Sequence, residues 1–226
     1  MTSLQYRYQT LQFGDLEIHV RSLRDIQQFS DPDDEALQLG ISSAAWPLFG
    51  MVWASGEALA ELMATYNAAG KRILEVGSGL GLASLVLNHR NMDITATDIH
   101  PEAETFLQEN ARINQDQPVP FLRSDWSNEN TGLGLFDLII GSDLLYERSH
   151  VTPLSGFIDR HAAAACKVVL VDPGRGHHAP FSKRMVSLGY SHRQERTNAD
   201  NPKRIISSGR VLHYRLGAAE AAVGPE

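Results

Sequence analysis

From Leu74 onward, short apolar runs alternate with segments whose apolar residues recur every three or four positions, the pattern of strands separated by crossover helices. The runs predict strands near 72–77, 93–98, 118–123, 135–141 and 166–172, with helices near 80–90, 101–114, 149–164 and 178–188. Strands joined by helical crossovers build a mostly parallel sheet covered on both faces, a doubly wound α/β fold. The last two extended segments, "YSHRQERT" and "GRVLHYRLG", are separated by a polar loop without helical period, which predicts a C-terminal antiparallel hairpin. Upstream, "LQYRYQTLQF" and "LEIHVRSL" alternate with period two around Gly14-Asp15 and predict a small N-terminal β extension. "SDPDDEALQLG" carries a capping Ser or Asp and a closing Gly, so one or two helical turns are expected there, its acids serving as a solvated cap. "SGEALAELMATYNAAG" predicts a further helix, with Leu59, Leu62, Met63 and Tyr66 at helical spacing. The expected division is residues 1–45 as the β extension and short helix, 46–217 as the main domain and 218–226 as a disordered tail.

Composition narrows the function. In 226 residues, 42% hydrophobic and 21% charged, one folded domain is expected. A net charge of -7, with no cluster of basic residues, argues against a nucleic-acid surface. The single cysteine, Cys166 in "CKVVLV", reads as a buried strand residue and excludes a disulfide within the chain. No run approaches the roughly 18 apolar residues of a membrane span, and the N-terminus has no signal-like apolar stretch, so a cytoplasmic protein is the expectation.

The candidate chemistry begins at "RILEVGSGLG". Gly77, Gly79 and Gly81 give G-x-G-x-G, with Leu82 where a dinucleotide fingerprint needs its third glycine. Glu75, just before the loop, would oppose a pyrophosphate but suits a cofactor carrying an ammonium group. Asp98 closes the second parallel strand, where an acid accepts ribose hydroxyls. Asp125 and Trp126 follow the third strand, where an acceptor and a flat ring could meet an adenine. Each position lies just beyond a successive strand, the edge at which such sheets bind ligands. A nucleoside with a cationic amino-acid arm satisfies all three, and S-adenosylmethionine is such a molecule.

"LEVGSGLG", "ATDIHPEAETFLQENARIN", "RSDW" and "FDLIIGSDLLYE" together resemble a class I, seven-stranded S-adenosylmethionine-dependent methyltransferase. More narrowly, "WPLFGMVWASGEALAEL" and "SDLLY" resemble the family 16 protein lysine methyltransferases, and "VDPGRG" is similar to a D-P-G-R signature of the branch acting on the β-subunit of electron transfer flavoprotein. The resemblance implies a Rossmann-like seven-stranded sheet and S-adenosylmethionine as cofactor. It implies that Trp53, Glu75, Gly77, Ser78, Gly79, Gly81, Asp98, Ile99, Asp125, Trp126 and Ser142 line the cofactor cleft, with the loop amides facing the cofactor's carboxylate. It also implies that Asp143 and Tyr146 face the acceptor, with a protein lysine as partner.

The chain has Leu144-Leu145 where methyltransferases of DNA-base amines carry two prolines, which disfavours a DNA substrate. His177-His178 read as exposed loop residues and not as metal ligands, so no metal is expected. A small-molecule N- or O-methyltransferase is the alternative on the same fold, since folds do not fix substrates. A cofactor-binding interaction module without catalysis is the second alternative.

Overall fold

Residues 4–196 and 209–217 are described by the structure, a computed structural model. The expected tail at 218–226 lies outside the described residues. A hairpin comes first: β1 (Tyr6–Phe13) and β2 (Leu16–Leu23) pair without a slip around the Gly14-Asp15 turn. A one-turn helix, α1 (Glu35–Gln38), follows. The Asp31 carboxylate caps it by accepting the amides of Ala36 and Leu37 at 3.0 and 2.9 Å. Residues Trp46–Gly50 form a 3-10 turn leading into α2 (Ala54–Thr65).

The parallel series then runs β3 (Arg72–Val76), α3 (Leu82–His89), β4 (Asp93–Asp98), α4 (Ala103–Ile113), β5 (Phe121–Arg123), β6 (Phe136–Ser142), α5 (Val151–His161), β7 (Ala162–Asp172) and α6 (His178–Ser187). It closes with β8 (Ser191–Arg196) and β9 (Arg210–Arg215). The seven-stranded sheet has the order β5-β4-β3-β6-β7-β9-β8. β9 inserts between β7 and β8 and is antiparallel to both. This is the mostly parallel sheet with a C-terminal antiparallel pair that the pattern predicts, and the Rossmann-like seven strands that the resemblance implies. The chain leaves β3 toward β4 on one side and reaches β6 on the other, so the switch in strand order falls at β3.

Two buried clusters explain the near-continuous apolar strands. Ile73, Leu138, Ile140, Val169 and Val171 face α2, α3 and α4, together with Trp46, Leu59, Met63 and Phe106. Leu74, Val76, Ile139, Val168 and Leu170 face α5 and α6, with Phe157, Phe181 and Met185. Alternate residues of one strand thus go to opposite cores. Phe136 breaks the alternation because the register shifts between Phe136 and Leu138.

Three boundaries differ from the sequence reading: the helix expected to carry Tyr66 ends at Thr65, with Tyr66 already extended at ψ +135°. β5 is shorter than 118–123 because Pro118 and Pro120 have no amide to donate, and Pro120 enters only through its carbonyl, which accepts the Ala96 amide at 2.9 Å. The helix expected to reach residue 164 stops at His161, and the alanines that follow are drawn into β7, where Ala162 lies opposite Phe136. Sheet pairing there overrides alanine's helix preference. The N-terminal hairpin is pinned by Asn110 and Asn114, four apart on α4. Their side-chain amides exchange hydrogen bonds of 2.7–3.2 Å with the backbones of Arg21 and His19, acting as a surrogate strand for β2.

Candidate functional site

The loop after β3 turns at left-handed positions that favour glycine, Gly77, Gly79 and Gly81. Gly79 sits at φ +52°, and a Cβ there would stand 2.9 Å from the Phe49 carbonyl oxygen. Gly77 is left-handed too, at φ +61°, and a Cβ there would press on the end of the Leu144 side chain, whose Cδ2 lies 2.5 Å away, and touch Trp126 Cζ2 at 3.7 Å. The loop is therefore clamped between the 3-10 turn, Trp126 and the segment after β6.

Its polar groups are largely committed inside the protein. The Ser78 amide donates to the Thr97 carbonyl at 3.0 Å, and the Gly81 amide to the Ser78 carbonyl at 2.7 Å. Asp98 accepts the Gly79 amide at 2.7 Å on one oxygen and the His100 amide at 2.9 Å on the other. Burial pushes its carboxyl above the usual range against these bonds. Glu75, only 3% exposed, accepts the Ser84 amide at 2.9 Å and the Ser84 hydroxyl. Desolvation raises its carboxyl to about 7, while the Ser84 bonds hold it down and the Asp98 charge adds to the rise. Glu75 thus fastens β3 to the first turn of α3, and three loop amides, those of Ser78, Gly79 and Gly81, are spent within the protein. Ser78 Oγ is buried and has no hydrogen-bond partner among the described residues, so a polar group of a ligand could complete it.

Of the other positions expected on the cofactor side, Trp126 lies against the loop at Gly77, and the rest are held by contacts of their own. Ile99 follows Asp98 and is half-buried. Trp53 precedes α2 and donates its indole N–H to the Leu48 carbonyl at 2.8 Å. Ser142 ends β6, its Oγ 3.8 Å from where a Cβ on Gly56 would lie. Asp125 is exposed and folds onto its own turn, accepting the Ser127 amide at 2.6 Å.

Across the switch point lie Asp143 and Tyr146. Asp143 adopts φ +53°, uncommon for a non-glycine residue, and its amide donates to the Val171 carbonyl at 2.9 Å. Both its carboxylate oxygens are taken by Arg175, with Nε to Oδ1 at 2.6 Å and Nη2 to Oδ2 at 2.7 Å. Tyr146 is 52% exposed and packs edge-on against His150, with ring centres 4.4 Å apart. His150 in turn packs edge-on against Trp126 at 5.2 Å and makes a 3.1 Å hydrogen bond with the Leu144 carbonyl through Nδ1. Trp126, His150 and Tyr146 therefore form one aromatic wall from the glycine loop to the acceptor side.

Arg175 and His150 were missed as site residues in the sequence. The D-P-G-R segment carried a signal for the first, and nothing in the local pattern marked the second. His177 and His178 cap and begin α6 and do not lie in an exposed loop; His178 Nδ1 is 4.0 Å from Asp172 Oδ1. Among the described residues no group of three His, Cys, Asp or Glu side chains could hold a metal ion. Cys166 is buried in β7 and its thiol is pushed up to about 12 by desolvation, so it is no nucleophile at neutral pH. No described helix is long and apolar enough to cross a membrane.

A family model described as lysine methyltransferase matches residues 34–180, well over half of the chain. The protein N-lysine methyltransferase METTL21A of Danio rerio is 32% identical over 116 residues, covering 48% of this chain and 50% of that relative. The chain thus matches about half the length of this curated relative. Among solved structures, the 16S rRNA methyltransferase RsmC of T. thermophilus, in complex with AdoMet and guanosine, superposes with TM-score 0.64 at 15% identity, over 95% of this chain and 51% of that one. A methyltransferase from Pyrococcus furiosus superposes with TM-score 0.59 at 19% identity, over 83% of this chain and 100% of that one. These likenesses show the fold.

Proposed function

Because the chain belongs to the lysine methyltransferase family, we propose that this S-adenosylmethionine-dependent methyltransferase delivers its methyl group to the ε-amine of a lysine in a protein substrate. The observation that carries the reading is the pairing of a glycine-clamped loop and Asp98 on one side of the switch point with Asp143 and an exposed aromatic, Tyr146, on the other. Asp98 keeps lone pairs for ribose hydroxyls beyond the bonds it accepts from backbone amides, the buried Ser78 hydroxyl can meet a polar group, and Trp126 offers an aromatic face beside Gly77. The residues fit the cofactor. Bound S-adenosylmethionine supplies an electrophilic methyl on a sulfonium centre.

What remains for the protein is to aim a lone pair and exclude water. A lysine amine has an ordinary pKa of about 10.4, so presenting it neutral at pH 7 costs about 4–5 kcal/mol. Asp143 orients the amine, Tyr146 and His150 wall its cationic face, and partial desolvation helps remove the proton. The residual lone pairs of Asp143, not bare charge attraction, do the aiming, since Arg175 already occupies one direction at each oxygen.

Incubating the protein with radiolabelled S-adenosylmethionine and lysate of the source organism tests the reading. A labelled protein band containing methyl-lysine, lost with Asp143→Asn, is the expected result. Label confined to RNA or small molecules would overturn the lysine acceptor, and cofactor binding with no transfer to any acceptor would favour a non-catalytic module.

A further inference from the structure

We infer that Arg175 sets the protonation of the acceptor amine: it is a positioning residue whose guanidinium, forked onto Asp143, prevents that carboxylate from trapping the incoming lysine as ammonium. The inference rests on the lysine-transfer reading and deepens it.

Asp143 is fixed from both ends, by its amide to Val171 and by the two-point fork of Arg175. Arg175 arrives there because Asp172 Oδ1 accepts the Gly174 amide at 2.8 Å, turning the chain after β7 back over the end of β6. The bond to Asp143, with the charges of Asp143 and Asp172, holds the guanidinium pKa above its ordinary value, so it stays cationic at every working pH. A lone carboxylate beside an amine raises the amine's pKa and opposes the reaction, whereas a cation on the far side of the same carboxylate cancels most of that field. The amine's lone pair forms the nitrogen–carbon bond as the carbon–sulfur bond breaks with its electron pair left on sulfur. Only the unprotonated amine can react, and its proton goes to solvent.

Other charged or titratable groups face the same place. Asp98 comes from the end of β4, Tyr146, Glu147 and His150 from the segment before α5, and Asp172 and His178 from the turn into α6. They are common to every Arg175 variant and leave the comparison between variants intact.

The test measures the initial rate of label transfer into the lysate protein band from about pH 6.5 to 10, spanning the approach to a lysine's ordinary pKa. Three proteins are compared: the unchanged chain, Arg175→Gln and Arg175→Lys. The Arg175 side chain is 46% exposed, so its field is partly screened and the expected displacement is roughly one pH unit. With Arg175→Gln the rising limb moves to higher pH, the rate at pH 7.5 falls about tenfold and the high-pH plateau recovers. Arg175→Lys keeps the charge but not the fork, so its limb stays in place while its plateau drops. Calorimetric titration with S-adenosylmethionine should give the same affinity for all three, which reports an intact fold. A loss by Arg175→Gln that is equal at every pH, or no loss, overturns the inference while leaving lysine transfer standing. Absence of a labelled protein band with the unchanged chain instead contradicts the lysine reading itself.

Discussion

On the β3–β4 side of the switch point, the site is made of backbone: glycines clamped against the Phe49 carbonyl and Leu144, loop amides given to Asp98 and Thr97, and a carboxylate sealed against Ser84. On the β6–β7 side it is made of side chains, with half-buried Asp143 forked by exposed Arg175 and exposed Tyr146 resting on half-buried His150. The first side cannot change without strain or an unpaired buried group. The second can be rearranged by opening one ion pair, the fork between exposed Arg175 and half-buried Asp143. Under the proposed function, the difference is between a rigid half that would hold a common cofactor and an adaptable half that would meet a particular acceptor.

The sharpest way to break the contrast is Gly79→Ala. A left-handed alanine costs about 1–2 kcal/mol, and the 2.9 Å approach of its Cβ to a backbone oxygen adds to that. Calorimetry should show S-adenosylmethionine affinity falling by about a hundredfold or more, with a lower unfolding temperature. Wild-type affinity would show that the clamp does not shape the cofactor side.

Asp143→Asn probes the other half. Asparagine tolerates φ +53°, so folding should change by less than about 1 kcal/mol, while loss of the aiming carboxylate lowers transfer by about a hundredfold.

A third comparison separates two buried titrating groups on the cofactor side. Glu75, raised from 4.5 to about 7, binds a proton in the folded state that the unfolded chain has lost, so stability present below about pH 4.5 is lost as pH rises to about 7. His100 is depressed from 6.5 to about 4 by burial, so its contribution is present above pH 6.5 and lost as pH falls through about 4. Each is worth about 3 kcal/mol over its window, with opposite slopes that nearly cancel in the cofactor-free protein. Glu75→Gln should unmask the His100 slope, giving denaturation midpoints that climb between pH 4 and 6.5, and should leave the protein more stable than the unchanged chain at pH 8. An unchanged pH profile would contradict a desolvated Glu75. The smallest effect belongs to Tyr146→Phe, which keeps the ring on His150 and should slow transfer less than about threefold, whereas Tyr146→Ala removes the wall. A large loss with phenylalanine would give the hydroxyl a role that the geometry does not show.

The two halves also differ in how far they could be read from the chain. The glycine spacing, Glu75 and Asp98 lie at the ends of consecutive strands, so periodicity and turn chemistry alone placed them on one edge. That Glu75 turns inward to Ser84 is a matter of side-chain direction, which the pattern does not encode. The acceptor half depends on contacts across sequence: Arg175 reaches Asp143 over 32 positions, and His150 joins Trp126 over 24, so neither pairing had a local signature. Similarly, the helix expected to run to residue 164 was cut short by strand pairing with Phe136, a distant partner that alanine's own propensity opposes.

One pair of readings on a single protein tests the division most directly: Asp143→Asn titrated with S-adenosylmethionine in the calorimeter and assayed for label transfer to the lysate protein band. The division predicts cofactor affinity within about twofold of the unchanged chain, a free-energy difference of under about 0.5 kcal/mol, together with transfer reduced about a hundredfold. Cofactor affinity falling in step with transfer would contradict it, because Asp143 would then belong to the cofactor side.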